Sequence, residues 1–267
     1  MDGRKSAMLV LSLALGCTGC ATTHEKTTSI HGPDDPTPVL TQVKEEAKQP
    51  APARVILAMG ARDEMEADAA KDRPEAQARM RDQARRAYQE VLKNEPNNID
   101  AFRGLARVYT SMGDYDRAAD TYKKALAKHP RDVNLWHDFG MMHDRKKDWA
   151  QGVHCFQKAL EIDPENQRCL KAMGFTLARA GQVDQAMVYL TRAMGSAVAA
   201  HTNVAMMLMH LAGQDPGDAA ARQALARQHL QLALQENPNY ERARDLLAAM
   251  EGAPTHGTVE IQFDAGQ

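Results

Sequence analysis

The amino-acid sequence predicts an all-α protein built from repeated helix hairpins, and two observations support this prediction. Pro96, Pro130 and Pro164 lie 34 residues apart, and each closes a segment of similar pattern. Aromatic residues make up only 5% of the 267-residue chain, whereas alanine and other unbranched residues recur, which favours helices over sheets. One helix hairpin cannot bury its own apolar face, so hairpins repeated at a fixed period are expected to stack into a solenoid.

The residues between these prolines repeat with the same period. Small residues lie at Ala106, Gly140 and Gly174, where two antiparallel helices are expected to approach closely. Tyr122 and Phe156 provide large side chains that can fill the layer between successive repeats. Each proline is expected to end the second helix of its repeat, because the residue before a proline is pushed out of the helical region.

This pattern resembles the tetratricopeptide repeat (TPR), a 34-residue helix-turn-helix unit. The resemblance implies a right-handed α-solenoid over 54–251. The expected units are a degenerate repeat 54–98, regular repeats 99–132, 133–166 and 167–200, an irregular repeat 201–238 and a capping helix 240–251. The closing proline of the irregular repeat, Pro238, lies six residues beyond its expected position, and these additional residues are expected in the loop 213–218.

The first twenty residues predict export and lipid anchoring. Two basic residues precede an apolar run over 7–15, which is shorter than the roughly 20 residues that cross a bilayer as a helix. This layout indicates a cleaved signal peptide over 1–16. The run ends in Leu-Ala-Leu-Gly before Cys17, which resembles the lipobox of bacterial lipoproteins, where the cysteine is lipidated.

Two alternatives to lipidation at Cys17 stay open at this point. Cys20 follows a second, weaker match, and an ordinary signal peptide could carry a cysteine there by chance. The residue after Cys17 is Thr18, which is not the aspartate that retains bacterial lipoproteins in the inner membrane. The lipoprotein resemblance therefore implies a cell-envelope protein, anchored in the outer membrane and facing the periplasm.

The two ends of the chain are expected to lack a core of their own. Residues 17–53 are rich in threonine, proline, lysine and glutamate, which predicts a disordered tether between membrane and folded body. Residues 252–267 are expected to be a flexible tail. In that tail, 258–263 could form a strand only if another element supplied a partner edge.

The sequence carries no sign of catalysis, of a cofactor or of a small-molecule substrate. Phosphate-binding loops, dinucleotide fingerprints, zinc-protease motifs and nucleophile elbows are all missing from it. A net charge of −2 argues against nucleic-acid binding, which needs clustered positive charge. We therefore expect a non-enzymatic protein.

Two other groups of residues allow more than one interpretation. Methionine and histidine cluster over 137–143 and 206–210, and these side chains suit copper, but the repeat period assigns several of them to packing, so no metal site is predicted. Cys155 and Cys169 could pair in an oxidising compartment or act as two small buried apolar residues.

The TPR resemblance implies that the first helix of each repeat lines a concave groove. In the three regular repeats, the family's groove positions hold six basic and two acidic residues, whereas the next repeat contributes no charge. These positions predict a basic groove with an apolar section, although the same arginines would also suit a solvated helix face. The predicted partner-binding residues are Arg103, Arg107, His137, Met141, Arg145, Arg168, Lys171, Phe175, Arg179 and Met209.

The sequence therefore predicts a lipid-anchored adaptor for protein–protein interaction or assembly in the bacterial cell envelope. Its groove is expected to bind an extended, acidic segment of a partner protein, because arginine side chains pair well with carboxylates. In layout it is similar to pilotin-like factors for type IV pilus or secretin assembly. A module that regulates a peptidoglycan enzyme or binds an anionic polysaccharide is the alternative.

Overall fold

A computed structural model describes residues 52–252, and every regular element in this range is helical. The predicted signal peptide, Cys17, Cys20, nearly all of the tether and the tail from residue 253 lie outside the described residues. The helices are α1 (Ala53–Ala69), α2 (Pro74–Asn94), α3 (Ile99–Ser111), α4 (Tyr115–Lys128), α5 (Val133–Arg145), α6 (Trp149–Ile162), α7 (Gln167–Arg179), α8 (Val183–Met194), α9 (Ala197–Gln214), α10 (Ala219–Glu236) and α11 (Glu241–Met250).

The helices form an all-α solenoid of stacked TPR hairpins, as the sequence predicts. Each helix packs against the next one in the chain, and each odd-numbered helix also contacts the next odd-numbered helix. Between residues 52 and 252 no even-numbered helix contacts another even-numbered helix. The odd-numbered helices therefore lie on the inside of the curve, where successive repeats approach each other most closely. We call the surface that they form the groove.

The helix starts are fixed by polar side chains at the N-cap position. There an Asn, Asp or Ser oxygen accepts a hydrogen bond from the backbone N–H three residues later, which satisfies an otherwise unpaired donor. Each such cap contributes on the order of 1 kcal/mol. Six helices have this arrangement, with caps at Asn98, Asp114, Asp132, Asp148, Asn166 and Ser196.

The small residues of the repeat lie where one helix of a hairpin meets a large side chain of the other. A Cβ atom added to Gly140 on α5 would lie 2.6 Å from Cε1 of Phe156 on α6. At Gly174 on α7 it would lie 2.6 Å from Cγ of Leu190 on α8. Phe156 and Leu190 are both fully buried, so neither can move aside. The predicted close approach of the two helices is confirmed.

The expectation that the irregular repeat carries its extra residues in the loop is wrong. Helix α9 ends at Gln214, one residue later than the 34-residue period predicts, and the turn that follows has four residues against three in the regular repeat of α3 and α4. Helix α10 has 18 residues against 14 in α4, so most of the added length extends this helix. Residues 219–225 at its start are half-buried or exposed, so the added turns contribute little to the core.

The degenerate first repeat is a complete hairpin that departs from the period in its turn. Helix α1 ends eight residues earlier than the period predicts, and α2 begins seven residues earlier, at Pro74. Tyr88 keeps its expected position in α2 and is buried against α1 and α3. The first helix is difficult to align with the repeat for this reason, although it packs like the others.

The two cysteines of the solenoid are buried free thiols. Burial raises the pKa of Cys155 to about 12 and that of Cys169 to about 11, so both stay protonated at neutral pH. They pack as small apolar side chains, which is one of the two interpretations that the sequence allowed. Within residues 52–252, none of the helices is both long enough and apolar enough to span a bilayer.

The packing of α5 against α6 predicts opposite effects for two glycine substitutions. Gly140→Ala forces a methyl group against the Phe156 ring, and we expect a net loss of about 1–2 kcal/mol in the free energy of unfolding. Gly213→Ala is the matched control, because its Cβ would meet no atom within 4 Å, and alanine favours helix by up to roughly 1 kcal/mol. Urea denaturation measures both, and equal effects would contradict the close packing at Gly140.

Candidate functional site

The groove contains two adjoining hollows. The larger, which we call the large hollow, has a volume of about 710 Å³ and lies mainly between α1, α3 and α5. The smaller, which we call the small pocket, has a volume of about 230 Å³ and lies between α5 and α7. His137, Met141 and Arg168 line both, so the two hollows form one continuous surface.

The side chains of the small pocket are placed by helical spacing. Arg168, Lys171, Phe175 and Arg179 follow each other along α7 at intervals of three or four residues, which puts them on one face of the helix. Met141 faces them from α5. The TPR resemblance predicted these positions, and the structure places them around one pocket.

An ion pair between α1 and α3 crosses the large hollow. Arg107 Nη2 lies 2.7 Å from Glu64 Oε2, and the Tyr88 hydroxyl donates to the same oxygen at 3.3 Å. Burial raises the pKa of Glu64, and the charge and hydrogen bond of Arg107 oppose this increase without cancelling it. Glu64 thus neutralises Arg107, which the sequence analysis predicted to bind a partner.

The carboxylate of Asp138 joins three consecutive odd-numbered helices. It is only 5% exposed and accepts hydrogen bonds from Arg103 Nη2 on α3 at 3.1 Å and Arg103 Nε at 3.3 Å. Arg168 Nη2 on α7 lies 3.6 Å from its other oxygen, and His137 Nδ1 lies 3.0 Å from that oxygen. Burial by itself raises the pKa of Asp138, but the hydrogen bond from His137 and the charges of Arg103 and Arg168 outweigh it, and the pKa is lowered.

A second buried carboxylate, Asp144 at the end of α5, also binds to α7. Arg179 Nη1 lies 2.7 Å from Asp144 Oδ2, and the Thr176 hydroxyl donates to Oδ1 at 2.8 Å. Two buried aspartates of α5 therefore form ion pairs with arginine side chains of the neighbouring helices α3 and α7.

The small pocket combines an apolar floor with a cationic rim. Its floor consists of Met141, Ala172 and Phe175, and Phe175 is only 5% exposed. Arg168, Lys171 and Arg179 stand around it. In the described range, Lys171 makes no ion pair with a carboxylate, so its charge is available to a ligand.

Most of the predicted groove residues line one of the two hollows. Arg103 and Met209 do not, because Arg103 is turned to Asp138 and Met209 lies on α9, beyond both hollows. Those that line a hollow are Arg107, His137, Met141, Arg145, Arg168, Lys171, Phe175 and Arg179.

The expected charge of the groove needs correction. The sequence count treated six basic side chains as available to a partner, whereas four of them, Arg103, Arg107, Arg168 and Arg179, are paired with carboxylates of the protein itself. The count missed Glu64 and Asp138, because neither occupies a family groove position. An acidic residue on the apolar face of an amphipathic helix, as at Asp138, is the signal that could have indicated a buried ion pair.

The methionine and histidine clusters are largely part of the core. Met142, Met206 and Met207 are each about 1% exposed and pack against apolar neighbours. Within residues 52–252, no three histidine, cysteine, aspartate or glutamate side chains are grouped as a metal site would require.

Comparisons with known proteins agree with this architecture. Residues 102–233 match the family model of the middle TPR-like domain of cilia and flagella-associated protein 70. None of the proteins with curated functions matches the sequence. The match and the fold support a TPR protein, and the repeat fold supports a general role in protein–protein interaction.

Among solved structures, pilF of Pseudomonas aeruginosa has 19% identity and a TM-score of 0.50, covering 75% of this chain and 84% of its own. TTC0263, a thermophilic TPR protein of Thermus thermophilus, has 16% identity and a TM-score of 0.49, covering 75% and 99%. MamA has 16% identity and a TM-score of 0.48, covering 70% and 92%. At this level of identity, the likeness to pilF shows a shared fold.

The geometry around Arg103 predicts unequal effects for its two carboxylate neighbours. Asp138→Ala leaves the Arg103 side chain, which is 20% exposed, without its carboxylate, and we expect it to lower the free energy of unfolding by about 2–3 kcal/mol, since hydrogen bonds to charged groups contribute roughly that much. Asp100→Ala is the control, because Asp100 is exposed and 4.0 Å from Arg103, and we expect at most about 1 kcal/mol. Urea denaturation compares the two. A loss for Asp138→Ala no larger than the control's would show that the carboxylate does not hold the helices.

Proposed function

We propose that this chain is a non-enzymatic adaptor of the bacterial cell envelope whose groove binds an extended acidic segment of a partner protein. The observation that carries the proposal is the small pocket, where an apolar floor is surrounded by Arg168, Lys171 and Arg179. Such a pocket suits a ligand that presents one apolar side chain with carboxylates on either side of it.

An extended peptide has the geometry that this site requires. Successive side chains of an extended strand point to opposite sides at about 3.3 Å per residue, so an apolar residue can enter the pocket while its neighbours face the rim. Lys171 has no carboxylate partner among residues 52–252 and supplies the positive charge, and Arg168 and Arg179, each beside a carboxylate of the protein, can donate further hydrogen bonds to the ligand. An acidic segment is therefore favoured over a neutral or basic one.

The large hollow extends the binding surface towards α1. Arg145 on its border makes no ion pair with a carboxylate among residues 52–252, and Met65 on α1 is 73% exposed. Glu64 neutralises Arg107 there. The other charged residues of the α1–α2 hairpin that line the large hollow are Asp68, Lys71 and Arg81. We propose that this part of the groove contributes contact area, while the small pocket selects the acidic segment.

The location in the envelope is also part of the proposal, and the first twenty residues support it. A lipid on Cys17 would hold the chain at the outer membrane, and residues 17–53 would separate the solenoid from the membrane surface. The groove would then be presented to proteins of the periplasm.

Site-specific photocrosslinking tests the partner side of this proposal. A photoreactive residue at position 145, which lines the large hollow where it adjoins the small pocket, is expected to capture one partner segment in native membranes, and mass spectrometry identifies it. A synthetic peptide of that segment is then titrated against the purified chain. We expect Lys171→Glu to weaken binding about tenfold, since a favourable charge contact becomes a repulsive one.

The matched control for this experiment is Lys124→Glu, at an exposed lysine on the outward helix α4. It makes the same change in net charge outside the groove, so its affinity is expected to stay near that of the unaltered chain. Equal affinities for both variants would reject the small pocket as the binding site.

Metabolic labelling with a lipid analogue tests the anchor. We expect Cys17→Ala to abolish labelling and to release the chain from the membrane fraction, whereas Cys20→Ala retains both. The reverse result would assign the lipid to Cys20, and labelling of neither chain would remove the lipoprotein proposal.

A further inference from the structure

The sequence after α11 has the character of the ligand that the small pocket would select. Residues 253–257 carry no carboxylate, and the segment that follows, Thr-Val-Glu-Ile-Gln-Phe-Asp over 258–264, alternates apolar and polar residues. In an extended conformation Val259, Ile261 and Phe263 would share one side, and Glu260 and Asp264 the other.

From α11 to the small pocket, the charge of the groove changes in an order that matches the charges along residues 253–264. Helix α9 is the one odd-numbered helix between α7 and α11, and its groove positions carry no charged residue. The small pocket comes next, with its apolar floor and three basic side chains. A chain leaving α11 would meet first an uncharged wall and then a cationic, apolar pocket, in the same order as the uncharged and acidic parts of residues 253–264.

The segment also has the right starting point and enough length. Helices alternate in direction along the solenoid, so α7, α9 and α11 run the same way, and α11 ends on the side of the groove where α7 ends with Arg179. Two helix-to-helix steps of about 10 Å separate α11 from α7. Residues 253–259 span about 23 Å when extended, at roughly 3.3 Å per residue, which covers this distance.

We propose that residues 258–264 bind the small pocket of their own chain and that a partner must displace them. Phe263 or Ile261 would lie on the floor formed by Met141 and Phe175, while the long side chain of Lys171 at the rim would reach around the segment to the carboxylates of Glu260 and Asp264. A short tether gives the segment an effective concentration in the millimolar range, so weak intrinsic affinity is enough. The proposal shares its groove with the proposed function but needs no partner to be tested.

Fluorescence anisotropy with a labelled synthetic peptide of residues 253–267 tests the proposal on the full-length chain purified in mild detergent. The unaltered chain is expected to bind the peptide weakly, because its own segment occupies the pocket. Glu260→Lys with Asp264→Lys should release that segment and increase peptide affinity at least about tenfold. Adding Lys171→Glu should remove this increase.

Two controls decide between the possible outcomes. Glu241→Lys, at an exposed residue of α11, should leave peptide affinity unchanged. A peptide carrying Glu260→Lys and Asp264→Lys should bind the Lys171→Glu single variant, whose own acidic segment is repelled from the pocket, because the charge contact is restored in reverse. Equal peptide affinity for the unaltered chain and the Glu260→Lys, Asp264→Lys variant would overturn the proposal.

Sedimentation of the same chains identifies whose pocket is occupied. Monomers at every concentration support binding within one chain. Oligomers that form with increasing concentration and disappear in the Glu260→Lys, Asp264→Lys variant would show a second copy as the occupant and overturn the proposal as stated. If photocrosslinking finds no partner while the peptide result holds, the proposed function fails and this inference stands.

Discussion

The buried carboxylate of Asp138 is the interaction on which the groove depends. It lies on α5 and holds Arg103 of the preceding odd-numbered helix and Arg168 of the following one. A charge this far from solvent is stable only when it is paired and hydrogen-bonded, and His137 completes its set of partners. Because the three helices come from three different repeats, this one carboxylate fixes their spacing and with it the border between the large hollow and the small pocket.

The same pairing determines which positive charges remain for a ligand. Arginine side chains bound to Glu64, Asp138 or Asp144 contribute to stability and to the shape of the groove. Lys171 and Arg145 make no such pair among the described residues. The groove, which its family positions predict to have a basic section, is thus less positive than expected, and Lys171 keeps its charge beside the apolar floor at Phe175. In the proposed function, this local pattern rather than the total charge selects the ligand.

The fold could be predicted from the sequence because its causes are periodic. The close packing of Gly140 on Phe156 recurs one repeat later at Gly174 and Leu190, and prolines at 34-residue intervals mark the repeat ends. The longer α10 was missed because an inserted helical turn of alanine, arginine and glutamine carries no turn signal of its own. The ion pairs were missed because they join residues far apart in the sequence, such as Glu64 and Arg107, and no local pattern encodes such a partner.

The central claim is that ligands bind on the odd-numbered helices, at the junction of α5 and α7. Backbone hydrogen exchange of the full-length chain, measured with and without the acidic peptide of the partner, tests this most directly. We expect slower exchange in α5 and α7, with little change in the outward helices α4 and α6. Protection centred on α4 and α6, with α5 and α7 unchanged, would contradict the claim.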